Sequence, residues 1–361
     1  MPEPTRPVAA SSTPTSPTPE PAPPAAASSA PASPAPEPPV RRVLITGALG
    51  FIGRAVADRL TADGIEVVGV DRQADPARGV VAGDTTDPGP WAAALAGCDV
   101  VLHTAAVVSN AVDTDEQWRI NVLGTRRVVE AARDAGVRRI VHLSSIRAFS
   151  DLGFPDGVTE DHPVRPDGNP YVDTKIASEQ VVLQAHAAGE IETVVVRPGD
   201  VYGPGSRPWV LLPLEAIRSR QFLLPAMGRG IHSPVYVDDL VAGLVLCATR
   251  PEAAGQVLTI AGPRGVRCDE YFGHLYRMLG RRGPLGLPTP VAVALADAAD
   301  RAGRVRGRRT EVNAISMRYL GRTGTYSIEK ARRLLGYDPR VDLDEGMART
   351  EEWLRAEGLL G

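Results

Sequence analysis

Three glycines spaced three residues apart, Gly47, Gly50 and Gly53, follow directly on the apolar run Arg41–Thr46 and precede the amphipathic segment Arg54–Ala62. The first run reads as a short buried strand and the second as a helix stopped at Asp63-Gly64. A further apolar strand, Glu66–Val70, then ends at Asp71. Strand, glycine turn, helix, strand and acid, in that order, predict a βαβ unit that binds a dinucleotide. Gly47 permits the tight turn, Gly50 lets backbone approach a pyrophosphate, and Gly53 lets the helix pack closely on the strand. The free N–H groups of the helix start, with Phe51 and Ile52 in the turn, are expected to meet the phosphates. Asp71 can accept both ribose hydroxyls and would repel a 2′-phosphate, which favours NAD; Arg72 beside it leaves NADP open.

The rest of the composition bounds the problem. A chain of 361 residues with 43% hydrophobic residues suits one large or two coupled globular domains. A net charge of -3 gives no electrostatic footprint for nucleic acid. Cys98, Cys247 and Cys268 are far apart and read as reduced thiols of a cytoplasmic protein. His142, His162, His186 and His232 show no metal-ligand spacing, and no metal is expected. No apolar run is long enough to cross a membrane. Residues 1–39 are mostly Pro, Ala, Ser and Thr; they lack the large apolar groups that offset ordering entropy and are expected to form a disordered tail.

The pattern Thr46-Gly47-x-x-Gly50-Phe51-Ile52-Gly53 resembles the extended short-chain dehydrogenase/reductase superfamily, of the NAD-dependent epimerase/dehydratase type, and the resemblance runs from about residue 41 to the end. Gly83–Asp87, with Asp84 and Thr85, is similar to the family's adenine-contacting turn. His103–Ala106, with Ala105, is similar to its cofactor-lining loop. Asn121–Thr125 matches a helix motif whose Asn lies near the nicotinamide ribose. The resemblance also implies a homodimer formed through helices beside the sheet.

The reactive pair is Tyr171 and Lys175, four residues apart and so on one face of a helix. A nearby cation favours phenolate, which makes the phenol a usable base. The strand Arg139–Leu143 ends in Ser144-Ser145. The family places a hydroxyl there against the reacting oxygen; counting back from Ala148-Phe149-Ser150 assigns it to Ser145, with Ser144 as the near alternative. The expected chemistry is hydride transfer, with Tyr171 as general acid/base, Lys175 depressing its pKa and holding the ribose, and Ser145 donating to the oxygen.

Three branches compete. Family dehydratases carry Asp and Glu just after the catalytic hydroxyl, where this chain has Ile146 and Arg147. Epimerases commonly grip a diphosphate with an Asn and an Arg, where this chain has Asp200 and, near the second position, His232. A carboxylate adds repulsion towards phosphate, and loss of an Arg removes a bidentate donor. Trp209–Leu214 and Phe222–Met227 offer an apolar wall for a small-molecule pocket. Leu287–Ala292 and Tyr326–Pro339 are similar to the 3β-hydroxysteroid dehydrogenase-like branch. Asp238-Asp239 reads as a helix-start pair that caps and packs.

The expected fold is α/β, a Rossmann-like doubly wound parallel sheet over residues 40–200 with a smaller C-terminal substrate-binding domain over 201–361, of which 230–262 return to the sheet. The expected function is that of an NAD-dependent oxidoreductase acting on a secondary alcohol or ketone of a fairly apolar small molecule. A sugar-nucleotide epimerase is the first alternative and a non-catalytic NAD(P)-binding regulator the second.

Overall fold

The computed structural model describes residues 38–109, 112–151, 153–305, 311 and 313–360. The tail expected over residues 1–39 therefore lies almost entirely outside the described residues. From Pro39 onwards the chain forms one contact unit.

Six strands alternate with helices along the first half: β1 (Arg42–Thr46), β2 (Glu66–Asp71), β3 (Val80–Ala82), β4 (Val100–His103), β5 (Arg139–Leu143) and β6 (Glu192–Pro198). Two short parallel strands, β7 (Asp200–Tyr202) and β9 (Pro234–Tyr236), pair with each other; β8 (Ile231–His232) pairs with β11 (Val266–Arg267). The strand β10 (Val257–Ile260) returns to the edge of the main sheet. That sheet is seven-stranded and wholly parallel, in the order β10-β6-β5-β4-β1-β2-β3.

The order reverses direction beside β1, the place where a doubly wound sheet opens a crevice at its carboxyl edge. Side chains alternate across each strand, so the sheet divides two apolar cores. Val43, Ile45, Val100, Leu102, Val194 and Val196 face one core, which continues into the C-terminal half. Leu44, Val101, Ile140 and Val195 face the other, packed on the helices Thr125–Asp134 and Pro170–Ala187. Burial on both faces explains why these strands are continuous runs of Val, Ile and Leu.

The first helix spans Phe51–Ala62, three residues earlier than its amphipathic pattern suggests. Gly50 sits at its N-cap in extended conformation with no side-chain cap, so the first-turn N–H groups are left for a ligand. Pro170 opens the helix Pro170–Ala187, and the Asn169 carboxamide accepts from the Tyr171 amide at 3.0 Å. That cap fixes Tyr171 in the first turn, over the end of β5. The helices Thr289–Val305 and Glu329–Leu335 form at the two C-terminal segments singled out in the sequence, the latter stopped by Gly336 in left-handed conformation. Among the described residues no helix is long and apolar enough to cross a membrane.

Candidate active site

The nucleotide end is shaped by backbone proximity. Gly47 has φ +72° and its N–H donates to Val70 O at 2.8 Å, tying the turn to β2. A Cβ on Gly53 would lie 2.1 Å from Gly47 O, and one on Gly47 would lie 2.9 Å from the Ala105 backbone. Helix start, turn and loop are therefore in contact only because these residues lack side chains. Asp71 closes β2; its carboxylate accepts from the amides of Leu49 (2.9 Å) and Arg72 (2.7 Å). Leu49, Arg54, Asp71, Arg72 and Gln73 line an open cleft there. Arg54, one turn into the helix, is a second cation at this cleft that the glycine pattern does not single out.

Further along the edge, Asp84 accepts from the Thr86 amide and hydroxyl, both at 2.8 Å, and Thr85 is buried against Gly124. Ala105 donates to Thr46 Oγ1 at 3.4 Å. Asn121 lies in a π-helical stretch, Arg119–Gly124. Its amide is fully engaged: Oδ1 accepts from Val107 N at 2.7 Å, and Nδ2 donates to Val107 O and Thr174 Oγ1, each at 3.1 Å. Asn121 thus works as a strut between the loop after β4 and the helix that carries Tyr171.

At the end of β5 the two serines part. Ser144 Oγ donates to Glu179 at 2.5 Å, and Glu179 is paired with Arg197 at 2.7 Å; all three are buried. Ser145 accepts from Arg147 N at 3.1 Å and lies close enough to the buried Tyr171 phenol to favour its ionised form. Geometry therefore separates the two serines: Ser144 is committed to Glu179, and Ser145 lies on the side of Tyr171 and Arg147. Lys175 Nζ donates to Leu143 O at 2.7 Å, and burial pushes its pKa down to about 8 despite the opposing charge of Glu179. Burial and the Lys175 charge keep the stacked rings of His103 and His142 neutral, His103 being pushed down to about 3.

One expectation is corrected here. Burial is the main influence on Tyr171 and raises its pKa; the cation that opposes it is Arg147, with the Ser145 hydrogen bond next. Lys175 is turned towards the β5 carbonyl instead. The guanidinium of Arg147 lies 5.0 Å from the centre of the Tyr171 ring and is paired with Asp151.

Asp200 is also not the bare charge that its position suggested. It is buried, accepts from the Tyr319 hydroxyl and the Ser233 amide (2.9 Å), and lies 3.4 Å from Arg322 Nη2 and 3.1 Å from His232 Nδ1. Burial pushes His232 down to about 4, so that imidazole is neutral at ordinary pH. Arg322 and Tyr319 come from more than a hundred residues away, and nothing local in the sequence marks them as partners of Asp200.

The apolar wall is largely core. Val210, Leu214 and Leu224 are fully buried in the main cluster, and Phe222 packs on Phe272 and Tyr276. Trp209 packs beside the Asp200 group, edge-on to His232 and tilted against Tyr319. The second acidic pair differs too: Asp239 accepts from the amides of Arg340 (2.9 Å) and Val341 (3.0 Å), and no side chain caps the helix Val237–Thr249. It fastens the C-terminal segment rather than its own helix.

Comparison with known proteins places the chain in a family. The chain is 33% identical over 85% of its length, and 94% of the relative's, to 4-hydroxy-2-methyl-3-oxo-4-farnesyl-3,4-dihydroquinoline-1-oxide ketoreductase of Stigmatella aurantiaca. It is 30% identical over 87% of its length, and 98% of the relative's, to UDP-glucose 4-epimerase of Mycolicibacterium smegmatis. Its fold matches MoeE5 in complex with UDP-glucuronic acid and NAD with a TM-score of 0.71 at 29% identity, covering 88% of this chain and 99% of that one. Residues 43–261 match the family model for NAD-dependent epimerases and dehydratases. With the glycine cradle, the parallel sheet and these relatives in agreement, the chain belongs to the NAD-dependent epimerase/dehydratase family.

Proposed function

We propose that this protein is an NAD-dependent oxidoreductase that interconverts a secondary alcohol and a ketone on a fairly apolar small molecule, with Tyr171 as general acid/base. The observation that carries the reading is the buried Tyr171 phenol beside Ser145 at the carboxyl end of β5, with Lys175 one helical turn further on. The cradle fits the cofactor: Gly47, Gly50 and Gly53 keep the pyrophosphate position clear, and the amides at Phe51 and Ile52 meet it. Asp71 takes the adenosine ribose, Asp84 and Thr85 the adenine, and Ala105 and Asn121 border the nicotinamide side.

Bound NAD supplies the hydride acceptor, and its reduced form the donor. In oxidation Tyr171 takes the hydroxyl proton while Ser145 donates to the oxygen as it becomes a carbonyl. In reduction Tyr171 returns that proton. Lys175 spends one N–H on Leu143 O, which leaves donors for the nicotinamide ribose.

An apolar substrate is supported by the ketoreductase relative, whose named substrate carries a farnesyl chain, and by the aromatic group Phe149, Phe154, Trp209, Tyr319 and Tyr326 around Arg147 and Arg322. Sugar-nucleotide epimerisation is the second reading. It is favoured by the epimerase relative and by Arg322, whose charge offsets that of Asp200. Incubation with NAD and sterols, aromatic alcohols or sugar nucleotides, followed at about 340 nm, separates them. Net NADH from an apolar alcohol is the expected result. A changed sugar configuration without accumulated NADH would establish the epimerase instead.

A further inference from the structure

Arg147 lies in the short 3-10 turn Ile146–Phe149 that follows β5, and its side chain is held at two points. Its Nε donates to Asp151 Oδ1 at 2.8 Å and its Nη2 to Asp151 Oδ2, a two-pronged pair. Asp151 is buried and accepts from Asn169 Nδ2 at 3.0 Å, and Asn169 is the residue that caps the helix of Tyr171. One chain of hydrogen bonds thus links the guanidinium to the backbone of Tyr171. The result is a cation 5.0 Å from the centre of the Tyr171 ring and 4.7 Å from that of Tyr319.

We propose that Arg147 is a positioning residue whose fixed positive charge stabilises the phenolate form of Tyr171. This rests on the reading of Tyr171 as the base. An opposite charge within about 4–6 Å favours the ionised form of a group, and more so where water is excluded. The other charges facing the phenol come from several elements. Asp151, in the same loop as Arg147, and Asp200, on β7, both disfavour phenolate. The Asp200 charge is offset by Arg322 at 3.4 Å. Lys175, on the phenol's own helix, is directed to Leu143 O. Tyr319 is a neutral neighbour between the two guanidiniums, with burial holding its own proton on. Arg147 is the favourable charge with a direct line to the ring.

The test needs no substrate. The full chain saturated with NAD is titrated with base, and phenolate is followed by ultraviolet absorbance, with Tyr171→Phe variants as blanks that isolate the Tyr171 contribution. Arg147→Met is expected to move the Tyr171 titration up by about one pH unit or more, and Arg147→Lys to recover at least half of that shift. A role in packing alone predicts no dependence on the charge carried at residue 147. The proposal is overturned if Arg147→Met titrates with the unmodified protein, or if Arg147→Lys is displaced as far as Arg147→Met. Should Arg147→Met not fold, Arg147→Gln takes its place: an upward shift supports the proposal and an unchanged titration overturns it. Retained turnover in Tyr171→Phe would instead defeat the underlying reading, and it is measured separately.

Discussion

Ser144 donates a 2.5 Å hydrogen bond to Glu179, and this draws one of two adjacent hydroxyls out of the site and into the ion pair with Arg197. The two serines should therefore fail in different ways. Ser145→Ala should lower kcat by about 10²–10³-fold, the usual cost of removing a donor to a developing oxyanion, while leaving thermal stability nearly unchanged. Ser144→Ala should keep kcat within a few-fold and lose about 1–2 kcal/mol in a denaturant titration. The opposite pattern would move the reacting oxygen to Ser144.

Tyr171→Phe keeps the ring and its packing and removes only the hydroxyl. It should lower kcat by about 10²–10⁴-fold, the range of general acid–base contributions, and leave NAD affinity within a few-fold by fluorescence titration. Near-normal activity in this variant would remove Tyr171 from the chemistry.

Lys175 links the site to pH. Its native pKa of about 8 lies below its ordinary 10.5, chiefly because burial disfavours the cation. Between those values the unfolded chain holds a proton that the native chain lacks, so stability rises with pH across that window. Below pH 8 the buried cation weighs on the fold in full. Without added cofactor, the protein should gain on the order of 2–3 kcal/mol relative to Lys175→Met as the pH climbs from 8 to about 10.5. Parallel stability curves for the two would show that Lys175 does not titrate there.

Gly53→Ala adds one methyl group where the Gly47 carbonyl stands 2.1 Å away. The turn must shift, so NAD binding should weaken at least about tenfold by calorimetry and stability should fall by about 1–3 kcal/mol. Wild-type affinity in this variant would mean that the cradle yields without cost.

Local spacing carried much of this in the sequence. The glycine turn, the Asp71 that ends β2 and the Tyr171–Lys175 helix face are all set by residues close together in the chain, and the structure places them where that spacing implies. Four features were not legible in that way. Asp200 meets Tyr319 and Arg322 across 119 and 122 residues, a distance no local pattern spans. Arg147 stands in the sequence where dehydratases carry an acid, whereas its place over Tyr171 depends on the turn to Asp151. Asp239 looked like a helix cap because capping is its commonest local use, yet its partners are amides at Arg340 and Val341. The runs Trp209–Leu214 and Phe222–Met227 are apolar whether they face a ligand or a core, so their composition could not say which.

The bond from Tyr319 to Asp200, with Arg322 beside it, bears on how this protein can be recombined. A chimaera joined just after residue 200 appears from the linear map to exchange a complete ligand-recognition half. In three dimensions that junction leaves a buried carboxylate with one parent and its hydroxyl and guanidinium with the other. A buried charge parted from its partner costs several kcal/mol, so a productive exchange must carry Asp200 along with the segment that holds Tyr319 and Arg322.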